Sequence, residues 1–509
     1  MASRRVRFLV GILGSAVLTA MVLVLTGPAA ANAQGSAASS AVVCDQWLGN
    51  PAPGTAAWEE RDINNLECAT QRQQDELTNP AFLRMWAIES GEGDPDSLTQ
   101  AIVDQLEQPT RPTVNAIHDS PGTSITDPFR NPVLWQDEGL GQQMTLTIDA
   151  TDGAHLNARL YWPNGRGPFP GVLMIPGLQA YNEVYDWVGE GLAEAGYMVL
   201  IPDPQGQGGS ENLPHNPDGW IACGVSTSVC SGPPVYDPAS DETQVVAVTS
   251  GLDFLLSTPT HSDPDAVGAN AAGTLTYNPE WALLNPHEIG LAGHSNGAIA
   301  VTSAGQDDPR VKAVVSMDNI DGSIKLAPGA RIHAPALYFG VDYAFPSVLQ
   351  PKNPERPPDP TQHEDYAYAQ TVKAGVDSMV IVPRASTHYE FDYEPFPASL
   401  PASRYGERVT FYYMLAWFDR YLKGEASATG RLTAPYFDSS ADASSIGSGT
   451  FAAAAALADP TNPAAGNVPY KIGGKCVADL LSFYYYSGYR LDGGKLTQRN
   501  MRGRGCPAS

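Results

Sequence analysis

Lysine is scarce in this chain. None precedes Lys312, and Lys and Arg together number 30 against 55 Asp and Glu, a formal net charge of −25. A surface of that sign repels phosphate, so a nucleic-acid partner is not expected; the charge fits a soluble exported protein and says little about substrate. Zinc-site spacings are missing as well. There is no C-x-x-C and no H-E-x-x-H, so neither a structural nor a catalytic zinc has support, and no cofactor is expected. Outside the first residues no apolar run is long enough to span a bilayer, and no internal repeat is visible.

The N-terminus carries Arg4, Arg5 and Arg7, an almost wholly apolar stretch over 8–26, and Ala31-Asn32-Ala33. That order is a cleavable export signal, predicting removal of residues 1–33, a mature start at Gln34, and no stable membrane insertion afterwards. Six cysteines remain: Cys44, Cys68, Cys223, Cys230, Cys476 and Cys506. An even count in an exported chain suggests disulfides, with proximity favouring Cys44–Cys68, Cys223–Cys230 and Cys476–Cys506 among fifteen pairings.

Residues 34–130 are polar, with one helical stretch near Trp58–Ala87. From 131 to 428 the pattern changes. Met144–Ala150 and Leu156–Trp162 alternate like a hairpin around Asp152-Gly153. Apolar runs at Gly171–Ile175, Tyr197–Pro202, Ile289–Ala292, Val311–Met317, Ala336–Phe339 and Ser378–Pro383 read as strands. Helical patterns at Tyr185–Ala195, Thr243–Leu256, Tyr366–Ala374 and 404–423 separate them. Strands alternating with helices predict a mostly parallel, doubly wound α/β sheet with helices on both faces. Residues 429–509 form a linker and C-terminal extension: an Ala/Ser-rich stretch, the aromatic run Phe483-Tyr484-Tyr485-Tyr486, then a basic end. Packing of those aromatics on the core is the expectation.

Gly293-His294-Ser295-Asn296-Gly297 is a G-x-S-x-G. With glycine this common, chance alone gives roughly 0.3 such matches in a chain of this length, so the flanks decide. Ile289-Gly290-Leu291-Ala292 before it is strand-like and Ala298-Ile299-Ala300-Val301 after it is helical. A serine on such a strand-to-helix turn is lifted above the sheet edge, and the turn packs only with small flanking residues. The Asn296 amide and the helix N-terminus then face a developing oxyanion.

This order of elements, with the serine after the fifth strand, resembles the α/β-hydrolase superfamily over about residues 131–428. The resemblance implies a chain order of nucleophile, acid, histidine. Of the three histidines after Ser295, His333 precedes a strand, His363 lies in a polar loop, and His388 follows the last strand, where this fold presents its base. It also implies a second oxyanion amide from the loop after the third strand, here Pro176-Gly177-Leu178-Gln179-Ala180-Tyr181, with Leu178 as donor. Asp203-Pro204-Gln205-Gly206-Gln207-Gly208 resembles the family's turn after strand 4 and reads as structural.

Two narrower resemblances divide over the acid. Gly177–Tyr181, Tyr185 and Leu192–Tyr197 look like secreted platelet-activating-factor acetylhydrolases, whose acid position falls on Asp318. The region is also similar to bacterial cutinases and polyester hydrolases, whose acid position falls on Asp342, ahead of Pro346. Asp318 is preferred, Asp342 is the alternative, and Asp321 stands third. The function so implied is a secreted serine esterase acting through Ser295, His388 and an aspartate on a small-molecule, lipid or polyester ester. Tyr181, Tyr389 and Trp220 suggest an apolar or aromatic substrate. An envelope acyltransferase using the same residues, or a binding protein on a hydrolase scaffold, are the alternatives. Residues 204–241, with the Cys223–Cys230 pair, and 346–360 are expected to wall the site; 260–286 should lie at the opposite edge. Oligomeric state is not legible.

Overall fold

The computed structural model describes residues 51–77, 130–210 save 131, 179 and 206, 242–266, 275–343 save 320 and 321, 365–392, 404–433, 471–472, 475–476 and 481–501. Eight strands follow in chain order: β1 (Gln142–Asp149), β2 (His155–Trp162), β3 (Phe169–Ile175), β4 (Met198–Pro202), β5 (Leu284–His294), β6 (Val311–Met317), β7 (Ala336–Phe339) and β8 (Ser378–Ile381). A two-residue ribbon, β9 (Lys471–Ile472) with β10 (Lys475–Cys476), stands apart, and β11 (Gly488–Leu491) and β12 (Leu496–Gln498) close the chain. The helices are α1 (Ala56–Leu77), α2 (Pro132–Asp137), α3 (Asp186–Glu194), α4 (Glu242–Leu256), α5 (Asn296–Asp307), α6 (Tyr366–Lys373), α7 (Arg404–Tyr421) and α8 (Ala428–Thr433).

Ten strands form one sheet in the order β1-β2-β4-β3-β5-β6-β7-β8-β11-β12. From β4 to β8 all neighbours are parallel; β1, β2, β11 and β12 add antiparallel edges. The central strands are continuous apolar runs because both faces are covered. Val172 and Met174 of β3 point to the layer of α3 and α7, while Leu173 and Ile175 point to that of α4, α5 and α6. This is the period-2 alternation of a strand applied to two apolar layers. Burying four such side chains contributes on the order of 6–12 kcal/mol from apolar area before entropy is charged.

Topology places the site. After β3 the chain crosses by α3, on one face, to β4. It then returns by α4, on the other face, to β5 on the far side of β3. Right-handed crossovers require the change of face when the direction of winding reverses. The C-terminal ends of β3 and β5 therefore flank the crevice left at the reversal, which is where α/β sheets bind ligands.

The helix read over Tyr185–Ala195 is α3, Asp186–Glu194, entered through a 3-10 turn, Asn182–Tyr185, that the sequence pattern did not include. The C-terminal segment does pack its aromatics, with Phe483, Tyr484 and Tyr485 buried against Tyr343 and Val382, but it also adds β11 and β12 to the sheet beside β8. Among the described residues no helix is long and apolar enough to cross a membrane. Cys68 is buried and disulfide-bonded; the side chains of the other five cysteines, and so the three pairings, lie outside the described residues.

Candidate active site

Ser295 ends β5 and precedes α5 with φ 55° and ψ −120°. A non-glycine residue in that region is strained, and such strain survives only where surroundings enforce it. Here the enforcement is steric and visible. A Cβ on Gly293 would lie 2.4 Å from the Gly297 carbonyl oxygen, and one on Gly297 would lie 2.2 Å from the Ile175 carbonyl oxygen. Strand, turn and the first turn of helix thus cross at contact distance, and only glycine fits on either side of the serine. Ser295 N–H donates to the Met317 carbonyl of β6 (3.0 Å), fixing the turn against the next strand.

His388 opens a 3-10 turn, His388–Glu390, after β8. Its Nδ1 meets Asp318 Oδ2 at 2.5 Å. Asp318 follows β6 and is itself at positive φ, 49°, so the backbone turns sharply there to present the carboxylate. Ser295, Asp318 and His388 are all buried. The ring of His294, the residue before the serine, lies 4.5 Å from the His388 ring, centroid to centroid, so the ends of β5, β6 and β8 converge on one place.

Asp342 is elsewhere engaged. Its Oδ2 accepts from the Ala385 N–H (2.6 Å) and from Asn65 Nδ2 (3.0 Å). Burial pushes its carboxyl up to about 6, opposed by hydrogen bonds from Ser482, Ala385 and Asn65 and by the Arg384 charge. The structure therefore brings Asp318, and not Asp342, to the histidine ring. Asp321, His363, Trp220 and Pro346 lie outside the described residues, as do 211–241 and 344–364. His333 is exposed, and its ring nitrogens meet the backbone carbonyls of Arg331 and Val311.

Leu178 sits half-buried in the turn after β3, and Asn296 is the first residue of α5. A Cβ on the adjoining Gly177 would approach the Ser295 Cβ to 3.0 Å, so this turn lies directly beside the serine. The Gly177 N–H donates to Tyr185 Oη (3.1 Å), and Oη meets His294 Nδ1 at 2.8 Å. With Oη accepting from Gly177, its own proton serves Nδ1. Desolvation by burial, with the nearby His388, holds His294 well below the usual histidine range, so the imidazole stays neutral as an acceptor.

One residue of this turn's support escapes sequence reasoning. Gln207 Nε2 donates to the carbonyls of Gly177 (3.0 Å) and Ala180 (3.2 Å). A turn that offers N–H groups inward leaves its carbonyls needing donors, and an amide between two glycines just after the neighbouring strand was the available signal. Asp203 completes the support. It accepts from Asn182 N–H (2.6 Å), Asn157 Nδ2 (2.8 Å) and Gly209 N–H (3.0 Å), and burial raises its carboxyl to about 6. Tyr181 is buried, while Tyr389 is half-buried and stands edge-on to the His388 ring, 5.8 Å between centroids.

Among the described residues no group of three or more His, Cys, Asp or Glu is disposed to hold a metal ion. No family model matches the chain, and no curated protein matches it.

Proposed function

We propose that this chain is a secreted serine carboxylic-ester hydrolase built on an α/β-hydrolase fold. The observation that carries the reading is a serine at positive φ, locked between β5 and α5, with a buried histidine–aspartate pair from the ends of β8 and β6 whose imidazole stands against the ring of His294, the residue before the serine.

In this reading Ser295 Oγ attacks the ester carbonyl carbon while His388 Nε2 takes its proton. Asp318 holds the Nδ1–H, which fixes the tautomer with Nε2 free as base and stabilises the imidazolium that forms. The carbonyl oxygen becomes an oxyanion between the Leu178 and Asn296 amides, at the N-terminus of α5. His388 then gives its proton to the leaving alcohol, and the acyl group stays on Ser295. Water, deprotonated by the same histidine, cleaves the acyl-enzyme and returns the serine.

Hydrolysis of p-nitrophenyl esters across acyl chain lengths, with wild type beside Ser295→Ala, tests the reading. Turnover by wild type and a loss of roughly five to six orders of magnitude in kcat on substitution are expected. Wild type inert on every ester, or a variant equal to it, overturns the reading.

A further inference from the structure

The turn that delivers His388 does not stand on the sheet alone. Residues 383–387 are laced to 342–343. Tyr343 N–H donates to the Ser386 carbonyl (3.1 Å), Asp342 N–H to Ser386 Oγ (3.3 Å), and Ala385 N–H to the Asp342 carboxylate (2.6 Å). Ala385 is at φ 57°, a conformation that alanine holds only when its amide is fixed. The Asp342 carboxylate that fixes it is a buried anion, and a buried anion needs partners to stay in place.

Those partners come from the N-terminal helix. Asn65 Nδ2 donates to Asp342 Oδ2 (3.0 Å) and to Tyr343 Oη (2.8 Å), while Asn65 Oδ1 accepts from Arg384 Nε (3.1 Å). Asn64 Oδ1 accepts from Arg384 Nη2 (2.6 Å). Arg384, Asn64, Asn65 and Asp342 are all buried. One amide therefore touches three supports of the base turn, Asp342, Tyr343 and Arg384, 277 to 319 residues away in the chain. The C-terminal segment closes the same cluster. Tyr484 Oη meets Tyr343 Oη (3.2 Å) and bonds Asp62 of α1, and Trp58 stands edge-on to Tyr484 at 5.7 Å.

We propose that α1 is an intramolecular part of the catalytic apparatus, with Asn65 a positioning residue that sets His388 through Asp342, Arg384 and the 383–387 turn. The polar N-terminal extension is then required for turnover and not for substrate binding. Asp342, one of two candidates for the catalytic acid by its place at a strand end, is the joint between the extension and the base. The inference rests on His388 being the base of the proposed esterase.

The test is Asn65→Ala in the full chain, assayed on p-nitrophenyl esters and by the low-field proton resonance of the His388 Nδ1–H. A roughly tenfold or larger fall in kcat is expected, with KM within threefold and a shifted or broadened resonance, while circular dichroism is unchanged. If Asn65→Ala does not fold, Asn64→Ala, which removes only the acceptor on Arg384 Nη2, is measured the same way with a several-fold fall expected. A kcat within twofold of wild type together with an unmoved resonance overturns the proposal, as does a fall confined to KM. If neither wild type nor variant hydrolyses esters, the esterase reading has failed; the resonance alone then decides whether α1 orients His388.

Discussion

Replacing each of the two aspartates by asparagine separates an acid from a scaffold. Asp318→Asn keeps side-chain volume and leaves His388 Nδ1, now 2.5 Å from a carboxylate oxygen, facing a neutral amide. An amide can present its NH2 to Nδ1 and favour the tautomer with Nε2 protonated, which cannot act as base. The imidazolium formed in the transition state also loses its counter-charge. Together these cost about four orders of magnitude in kcat, or about 5 kcal/mol. Asp342→Asn acts differently. The amide oxygen can still accept from Ala385 and Asn65, which share Oδ2, but the NH2 takes the buried Oδ1 position, where no partner stands among the described residues, and the negative charge beside Arg384 is removed. An unsatisfied buried donor costs about 1–3 kcal/mol of stability, and kcat falls through the displaced base turn by roughly ten- to a hundredfold. Steady-state kinetics on a short-chain p-nitrophenyl ester, with urea unfolding of each variant, reads both. Loss of four orders in Asp342→Asn with Asp318→Asn within tenfold of wild type would refute the assignment.

Three further outcomes follow from the same geometry. Gln207→Leu removes both donors to the turn after β3; kcat should fall ten- to a hundredfold with KM less affected, read in the same ester assay. Gly297→Ala would set a Cβ 2.2 Å from the Ile175 carbonyl oxygen, backbone that cannot step aside, so the variant should lose several kcal/mol in urea unfolding or fail to accumulate as folded protein. Asp203 has its carboxyl raised to about 6 by burial. A carboxyl raised on folding binds more protons in the native state than in the unfolded one, so its stabilisation is full below the unfolded value near 4 and is lost as pH rises through about 6. Wild type should therefore lose on the order of 3 kcal/mol relative to Asp203→Asn between pH 4 and pH 7, measured by urea unfolding at each pH. A constant difference would count against the buried carboxylate.

What could be read from the chain and what could not have separate physical causes. β6 and β7 were legible to the residue because Val311–Met317 and Ala336–Phe339 are apolar runs buried on both faces. β5 was read too short. Its first half pairs Leu284 and Asn285 with Phe169 and Pro170 at the start of β3, and Pro286, His287 and Glu288 then bulge out of register before Ile289 meets Gly171. Ser295 was legible because its turn is sterically local: glycine on either side, strand before, helix after. Which aspartate meets His388 was legible only as a preference for Asp318, since it and Asp342 both follow strands. What separates them is Asn65, 277 residues away in sequence, occupying Asp342. No local pattern carries a contact of that separation. β11 and β12 were hidden for a similar reason: Gly488–Leu491 is half-exposed and becomes a strand because β8 offers it an edge.

The central claim is that Ser295 is a nucleophile activated by His388. The most direct measurement is reaction with a fluorophosphonate ester followed by mass spectrometry of the digested protein. The account predicts one adduct per chain, on the peptide containing Ser295, absent from Ser295→Ala and formed far more slowly in His388→Ala. An unmodified wild type, or an adduct that persists in Ser295→Ala, would contradict it.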